Sequence, residues 1–199
     1  MKRILLDVDG VVAEFTHHLC QKIGLKCEEP DPNTFQQWDF IRAHLTKEQR
    51  LHAYDILAAQ EFWATQPQMP GARKAVDLFL MAGLEVHFVT SPWAGCAGWA
   101  DTRTDWVSTQ MGVPAKFTHI SASKYVFSGS VFVDDKMEHV ERWYSEQHRH
   151  GHHDRHAFLF EAPYNRNMAW RPRLNGWTDH KTVERIIDIA LGTHTQSSW

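Results

Sequence analysis

The stretch "ILLDVDGVVAEF", residues 4–15, decides how the rest of the chain is read. Ile4, Leu5 and Leu6 are branched apolar residues of the kind that fill a fully buried strand, and Gly10 breaks the run. Yet the run carries two aspartates, Asp7 and Asp9, one residue apart. A buried carboxylate is costly unless its charge is compensated. Strand side chains two apart point to the same face, so Asp7 and Asp9 are expected side by side. Like charges so placed repel each other, and a bound cation is the usual remedy.

Working outward, four apolar runs read as buried parallel strands: "RILLDV" (3–8), "EVHFVT" (85–90), "SVFVDD" (130–135) and "HAFLFE" (156–161). Helical patterns lie between and after them. "GARKAVDLFLMAG" (71–83) and "GWADTRTDWVSTQMG" (98–112) each close on a glycine, a C-terminal cap signal. "KMEHVERWYSEQHR" (136–149) follows the third strand. "HKTVERIIDIALG" (180–192) places Val183, Ile186, Ile187, Ala190 and Leu191 on one stripe. Strands alternating with helices predict an α/β, Rossmann-like parallel sheet with helices on both faces. Residues 16–69 break the rhythm. They offer no convincing strand, but hold "PDPNTFQQWDF" and the helical "TKEQRLHAYDILAA" (46–59). This predicts a small helical cap inserted after the first strand, with residues 1–15 and 70–199 forming the core domain.

Composition narrows the function. A chain of 199 residues suits one core with a small insertion. Net charge is −3, from 21 Lys+Arg against 24 Asp+Glu, so there is no basic footprint for duplex nucleic acid. Nine Trp suggest an aromatic-lined pocket, although any one of them can simply fill core. Cys20, Cys27 and Cys96 are odd in number and show no paired motif, which predicts reduced thiols and a cytoplasmic protein. Neither a signal peptide nor a membrane span is expected, and a homodimer is compatible with the sequence. The biased stretch "HRHGHHDRH" (148–156) is expected to be a solvated loop, since its histidines lack the spaced partners of a structural zinc site.

Ligands of open α/β sheets bind beyond the carboxyl ends of the strands. The first run ends in Asp7 and Asp9, the second in Thr90 and Ser91, the third in Asp134 and Asp135, with Lys124 ten residues before Asp134. An aspartate at a strand end is commonly a cap or turn residue, but this joint pattern puts acids, a hydroxyl and a lysine on one edge. Here the chain resembles the haloacid dehalogenase superfamily of phosphatases, whose four motifs match "ILLDVDGVV", "VHFVTS", Lys124 and "VFVDD". Within that superfamily it is similar to the 5'(3')-deoxyribonucleotidases, through "DVDGVVAEF", "EFWATQPQMPGA", "VTSPW", "KYVFSGSVFVDD" and the late "PYN" and "RPRLNGW".

The resemblance implies a phosphatase of (deoxy)ribonucleoside monophosphates that uses Mg²⁺, an ion that prefers hard oxygen ligands. Asp7 is then the nucleophile, forming an aspartyl-phosphate, and Asp9 the general acid and base. The metal ligands implied are Asp7, Asp9 (through its carbonyl), Asp134 and Asp135. Thr90, Ser91 and Lys124 are the phosphate-binding candidates. Phe15 lies where the family stacks a base; Trp38, Trp63 and Trp93 are further substrate-binding candidates, Trp38 standing equally as ordinary core. Phe62 is another such candidate, with the core of the insertion its leading reading. Where an arginine often stands in relatives, two residues before the lysine, this chain has Ala122, which bears on nucleobase preference. Two other readings use the same residues: a phosphatase of another small phosphomonoester such as a sugar phosphate, and a non-catalytic nucleotide-binding module. The acidic Asp9, two past Asp7, favours turnover.

Overall fold

The computed structural model describes residues 2–25 and 37–193. Cys27 and most of "PDPNTFQQWDF" lie outside the described residues. β1 (Arg3–Leu6) is followed by α1 (Phe15–Lys22), α2 (Phe40–His44), α3 (Lys47–Leu57) and α4 (Gln60–Ala64). From α5 (Ala72–Met81) strands and helices alternate: β2 (Glu85–Thr90), α6 (Trp99–Met111), β3 (Thr118–Ile120), β4 (Val131–Asp134), α7 (Met137–Arg149), β5 (His156–Phe160), β6 (Arg173–Leu174) and α8 (His180–Leu191).

The strands form one parallel sheet in the order β3-β2-β1-β4-β5-β6. β1 sits inside it, with Ile4 opposite Val86 on one side and Val131 on the other. Its alternation sorts the core into two layers. Ile4 and Leu6 join the cluster packed by Val76 and Phe79 of α5, Trp106 of α6 and Ile186 of α8. Leu5 faces the opposite layer, with Phe132, Val140 and Trp143 of α7. Helices therefore cover both faces, as a parallel sheet requires.

The four apolar runs all contain strands, and the four helical patterns between and after them are helices. β3 and β6, three and two residues long at the two sheet edges, have no apolar run to announce them. On α8 the buried stripe is Val183, Ile186, Ile189 and Ala190, so Ile189 takes the place expected of Leu191, which is exposed. The segment between β1 and α5, expected to be the insertion, begins with α1, which the sequence pattern did not reveal, and α3 starts on a capping box between Thr46 and Gln49. Its helices share a separate apolar cluster, including Leu19, Phe40, Leu57 and Phe62, that is completed by Cys96 and Trp99 after β2. No described helix is long and apolar enough to cross a membrane.

Candidate active site

β1 and β4 are neighbours, and the chain leaves them toward opposite edges of the sheet. That makes the space beyond their carboxyl ends a switch-point crevice. Asp7 follows β1, Asp134 ends β4, and Asp135 comes next. A carboxylate oxygen from each of the three lies within 4.8 Å of the others, and all three residues are buried. Lys124, from the short 3₁₀ turn Lys124–Val126, is buried beneath them. Its Nζ lies 2.7 Å from Asp7 Oδ1 and 2.8 Å from Asp134 Oδ2. Asp134 also accepts from the Lys136 backbone N–H at 2.8 Å and pairs with His139 Nδ1 at 3.1 Å.

The electrostatics follow from this crowding. Burial pushes the Asp7 carboxyl up to about 7, with Asp134 and Asp9 adding to the rise and Lys124 opposing it. Burial, with the charges of Asp134 and Asp7, raises Asp135 well above the usual carboxylate range. Burial also works against the Asp134 anion, but Lys124 and His139 hold its carboxyl down at about 2. Were all three acids ionised, one lysine would leave two negative charges uncompensated. The donors are all carboxylate oxygens, which suits a hard divalent cation, so Mg²⁺ fits this set.

Asp9 behaves differently from the expectation. β1 ends at Leu6, and the Val8 carbonyl then accepts from the N–H groups of Val11, Val12 and Ala13. The backbone turns at Gly10, with φ +80°, directly after residue 9, and Asp9 lines the same cleft as Asp7 without joining its oxygens. The Asp9 carboxylate accepts from Arg103 Nη2 at 2.9 Å and Gln66 Nε2 at 3.1 Å, and it is not part of the acid trio. Gly10 is needed for close approach: a Cβ there would collide with Asp135 Oδ2.

Above the acids lies a cleft of about 430 Å³, lined by both the core and the insertion. Asp7, Asp9, Thr90, Ser91 and Asp135 line it from the strand ends, and Phe15, Trp38, Trp63 and Trp93 also line it. Phe15, at the start of α1, rests on Trp63 (centroids 5.8 Å apart, planes at 28°) and edge-on against Phe62. Trp63 and Phe62 are almost fully buried, and Phe62 belongs to the insertion's core as expected. Trp38 is 54% exposed, so it is not core; Lys136 Nζ lies 3.7 Å from its ring centroid. Lys124 meets the acids and does not line the cleft.

Three contributors escaped the sequence reading. Tyr164 donates its hydroxyl hydrogen to Asp135 Oδ2. Asn165, fully buried, donates to the carbonyls of Asp135 and Phe160 at 2.8 Å each and accepts from Ala162 N and Arg173 Nη2, bracketing the end of β4. Both lie in the "PYN" that carried part of the resemblance without a role. Arg103 is the third. A charge between Trp99 and Trp106 at helical spacing, on a stripe that should be apolar, was its signal.

The parallel sheet, the acid cluster at its switch point and the helical insertion define a haloacid dehalogenase-like hydrolase. A hydrolase of that superfamily (family IA, variant 3) from Entamoeba histolytica superposes with a TM-score of 0.55 at 9% identity, covering 96% of this chain and 100% of that one. CbbY from Rhodobacter sphaeroides gives 0.50 at 13% identity over 90% and 96%. Within this class the chain belongs to the family described as 5' nucleotidase, deoxy (pyrimidine), cytosolic type C protein, which it matches over residues 1–190. It is also 29% identical over 187 residues to a Bordetella pertussis protein named "Putative 5'(3')-deoxyribonucleotidase", covering 90% of this chain and 94% of that one. The protein is thus a phosphatase of the nucleotidase type.

Proposed function

We propose that the protein hydrolyses (deoxy)ribonucleoside monophosphates to nucleoside and phosphate with the help of Mg²⁺, through an aspartyl-phosphate on Asp7. The observation that carries this reading is the buried Asp7–Asp134–Asp135 trio on Lys124 at an aromatic-lined cleft. Asp7, Asp134 and Asp135 would hold the metal, with the Asp9 carbonyl joining them by resemblance. The ion, when bound, neutralises the acids and the phosphate dianion so that one anion can approach another.

Asp7 Oδ1 is occupied by Lys124 and by the Val8 N–H, at 2.7 Å each, which leaves Oδ2 to attack phosphorus. Thr90 and Ser91, which line the same cleft, donate hydrogen bonds to the phosphoryl oxygens. Asp9 enters the cycle in its protonated form; as the phosphorus–oxygen bond breaks, it gives that proton to the departing nucleoside oxygen and becomes the carboxylate that Arg103 and Gln66 hold. It then takes a proton from the water that attacks the aspartyl-phosphate, releasing phosphate and restoring Asp7. The insertion acts as a cap that excludes bulk water, with Phe15 as the stacking face for the base and Trp38 and Trp93 beside it. These aromatic walls favour a nucleotide over a sugar phosphate.

A phosphate-release screen with deoxyribonucleoside, ribonucleoside and sugar monophosphates, with and without Mg²⁺, tests the proposal. Highest kcat/KM for nucleotides, dependent on Mg²⁺, is expected. A preference for sugar phosphates would move the assignment to the alternative substrate class.

A further inference from the structure

Arg103 is fully buried on α6, and its guanidinium carbon lies 5.0, 5.8 and 5.7 Å from the ring centroids of Trp63, Trp99 and Trp106. Among the described residues its Nε and Nη1 have no hydrogen-bond partner, while Nη2 donates to both oxygens of Asp9, at 2.9 and 3.2 Å. The indole faces thus stand where acceptors would be, and among the described residues Asp9 is the one group that receives hydrogen bonds from this cation. Packing alone does not account for the charge. A buried ion pair is often no more stabilising than an apolar side chain of similar volume, and the three indoles would hold such a side chain well.

The second donor to Asp9 is fixed to the same helix. Gln66 Nε2 reaches Asp9 Oδ1 at 3.1 Å, while the Gln66 carbonyl accepts from the Trp106 indole N–H at 2.9 Å. Gln66 lies in the segment by which the insertion returns to the core. The Asp9 carboxylate is therefore clamped from two sides, away from the oxygens of Asp7, Asp134 and Asp135. It still lines the cleft, with its side chain 27% exposed.

We infer that Arg103 is a positioning residue that acts on the reaction through Asp9. It keeps the Asp9 carboxylate out of the acid trio and fixed at the cleft, within reach of the leaving oxygen and the incoming water. The inference rests on the reading of Asp9 as general acid and base.

A double-mutant cycle with Arg103→Met and Asp9→Asn tests it, using Mg²⁺-loaded enzyme and thymidine 5'-monophosphate as the probe substrate. Arg103→Met alone is expected to lower kcat by about 10- to 100-fold, part of what general acid–base catalysis supplies, and to leave KM within about threefold. Its melting temperature should stay close to that of the wild type, since only the partly exposed Asp9 loses a partner. In the Asp9→Asn background the same substitution should change kcat by less than about twofold, because residues acting as a unit are non-additive. An equal loss in both backgrounds would overturn the inference while leaving the role of Asp9 intact. Full activity of Asp9→Asn alone would instead overturn the underlying reading. If Arg103→Met does not fold, Arg103→Lys takes its place in the cycle, and the same comparison between backgrounds decides.

Discussion

Replacing Asp7 with Asn separates what the residue does for the reaction from what it costs the fold. Burial holds the Asp7 carboxyl at about 7, against an ordinary 3.8, with Asp134 and Asp9 reinforcing the rise and Lys124 opposing it. At roughly 1.4 kcal/mol per pH unit, ionising it in the folded, metal-free protein costs about 4 kcal/mol more than in the unfolded chain. The sign is that of a raised acid: the folded state binds the extra proton, so stability falls as pH rises from about 4 to about 7. Asn removes that cost: Lys124's attraction is already contained in that figure, and Lys124 keeps Asp134 as a partner at 2.8 Å when Asn takes the place of Asp7. A net gain of up to about 4 kcal/mol is expected, or roughly 8–16 °C in melting temperature for a chain of this size. Differential scanning fluorimetry in chelator at pH 7.5 should show the variant melting above the wild type, with the gap closing at pH 4. Added Mg²⁺ should raise the wild type more than the variant. Phosphate release should meanwhile fall by roughly three orders of magnitude or more. A variant that melts below the wild type in chelator, or keeps a tenth of its turnover, would refute the reasoning.

Other outcomes follow from the same geometry. EDTA should abolish phosphate release and Mg²⁺ restore it, with Ca²⁺ a poor substitute; Mg²⁺ affinity by calorimetry should rise with pH through about 7, as Asp7 must first lose its proton. Activity in metal-free buffer would contradict both. Gly10→Ala should cost both stability and Mg²⁺ affinity, because its backbone is at φ +80° and the new methyl would meet Asp135 Oδ2; unchanged calorimetry would place Asp135 elsewhere. Phe15→Ala should lower kcat/KM for a deoxynucleotide by about 5- to 150-fold, from roughly 1–3 kcal/mol of stacking, and much less for a small aryl phosphate. Equal losses on both substrates would make Phe15 part of the insertion's core alone.

The central sheet was legible because its strands are buried on both faces, and a continuous apolar run such as "EVHFVT" is what such burial demands. The edge strands β3 and β6 were not, since two or three residues that are partly exposed need no such run. Residues of the site that end a strand, such as Thr90 and Asp134, could be read from their position alone. Asp9 could not, because its surroundings depend on a turn at Gly10 and on a helix nearly a hundred residues later. Tyr164 and Asn165 come from a loop whose placement against Asp135 no local pattern encodes. The aromatic candidates divide on burial: Trp38 stands in the open, whereas Trp63 supports Phe15 from within.

The internal place of β1 has a consequence for how the chain is made. β1 is synthesised before both of its neighbours, and neither of its edges has a partner until β2 and then β4 have been made, with Ile4 waiting for Val86 and Val131. Domains fold as units during synthesis, and non-local parallel pairing is intrinsically slow. A nascent chain therefore carries an apolar strand with two open edges and an aspartate that has nothing to coordinate with. The acid cluster comes into being only once residue 135 has been added and the sheet has closed around β1. On the proposed function, cation binding would mark the point at which synthesis has passed β4: no fragment that stops short of β4 should hold the ion.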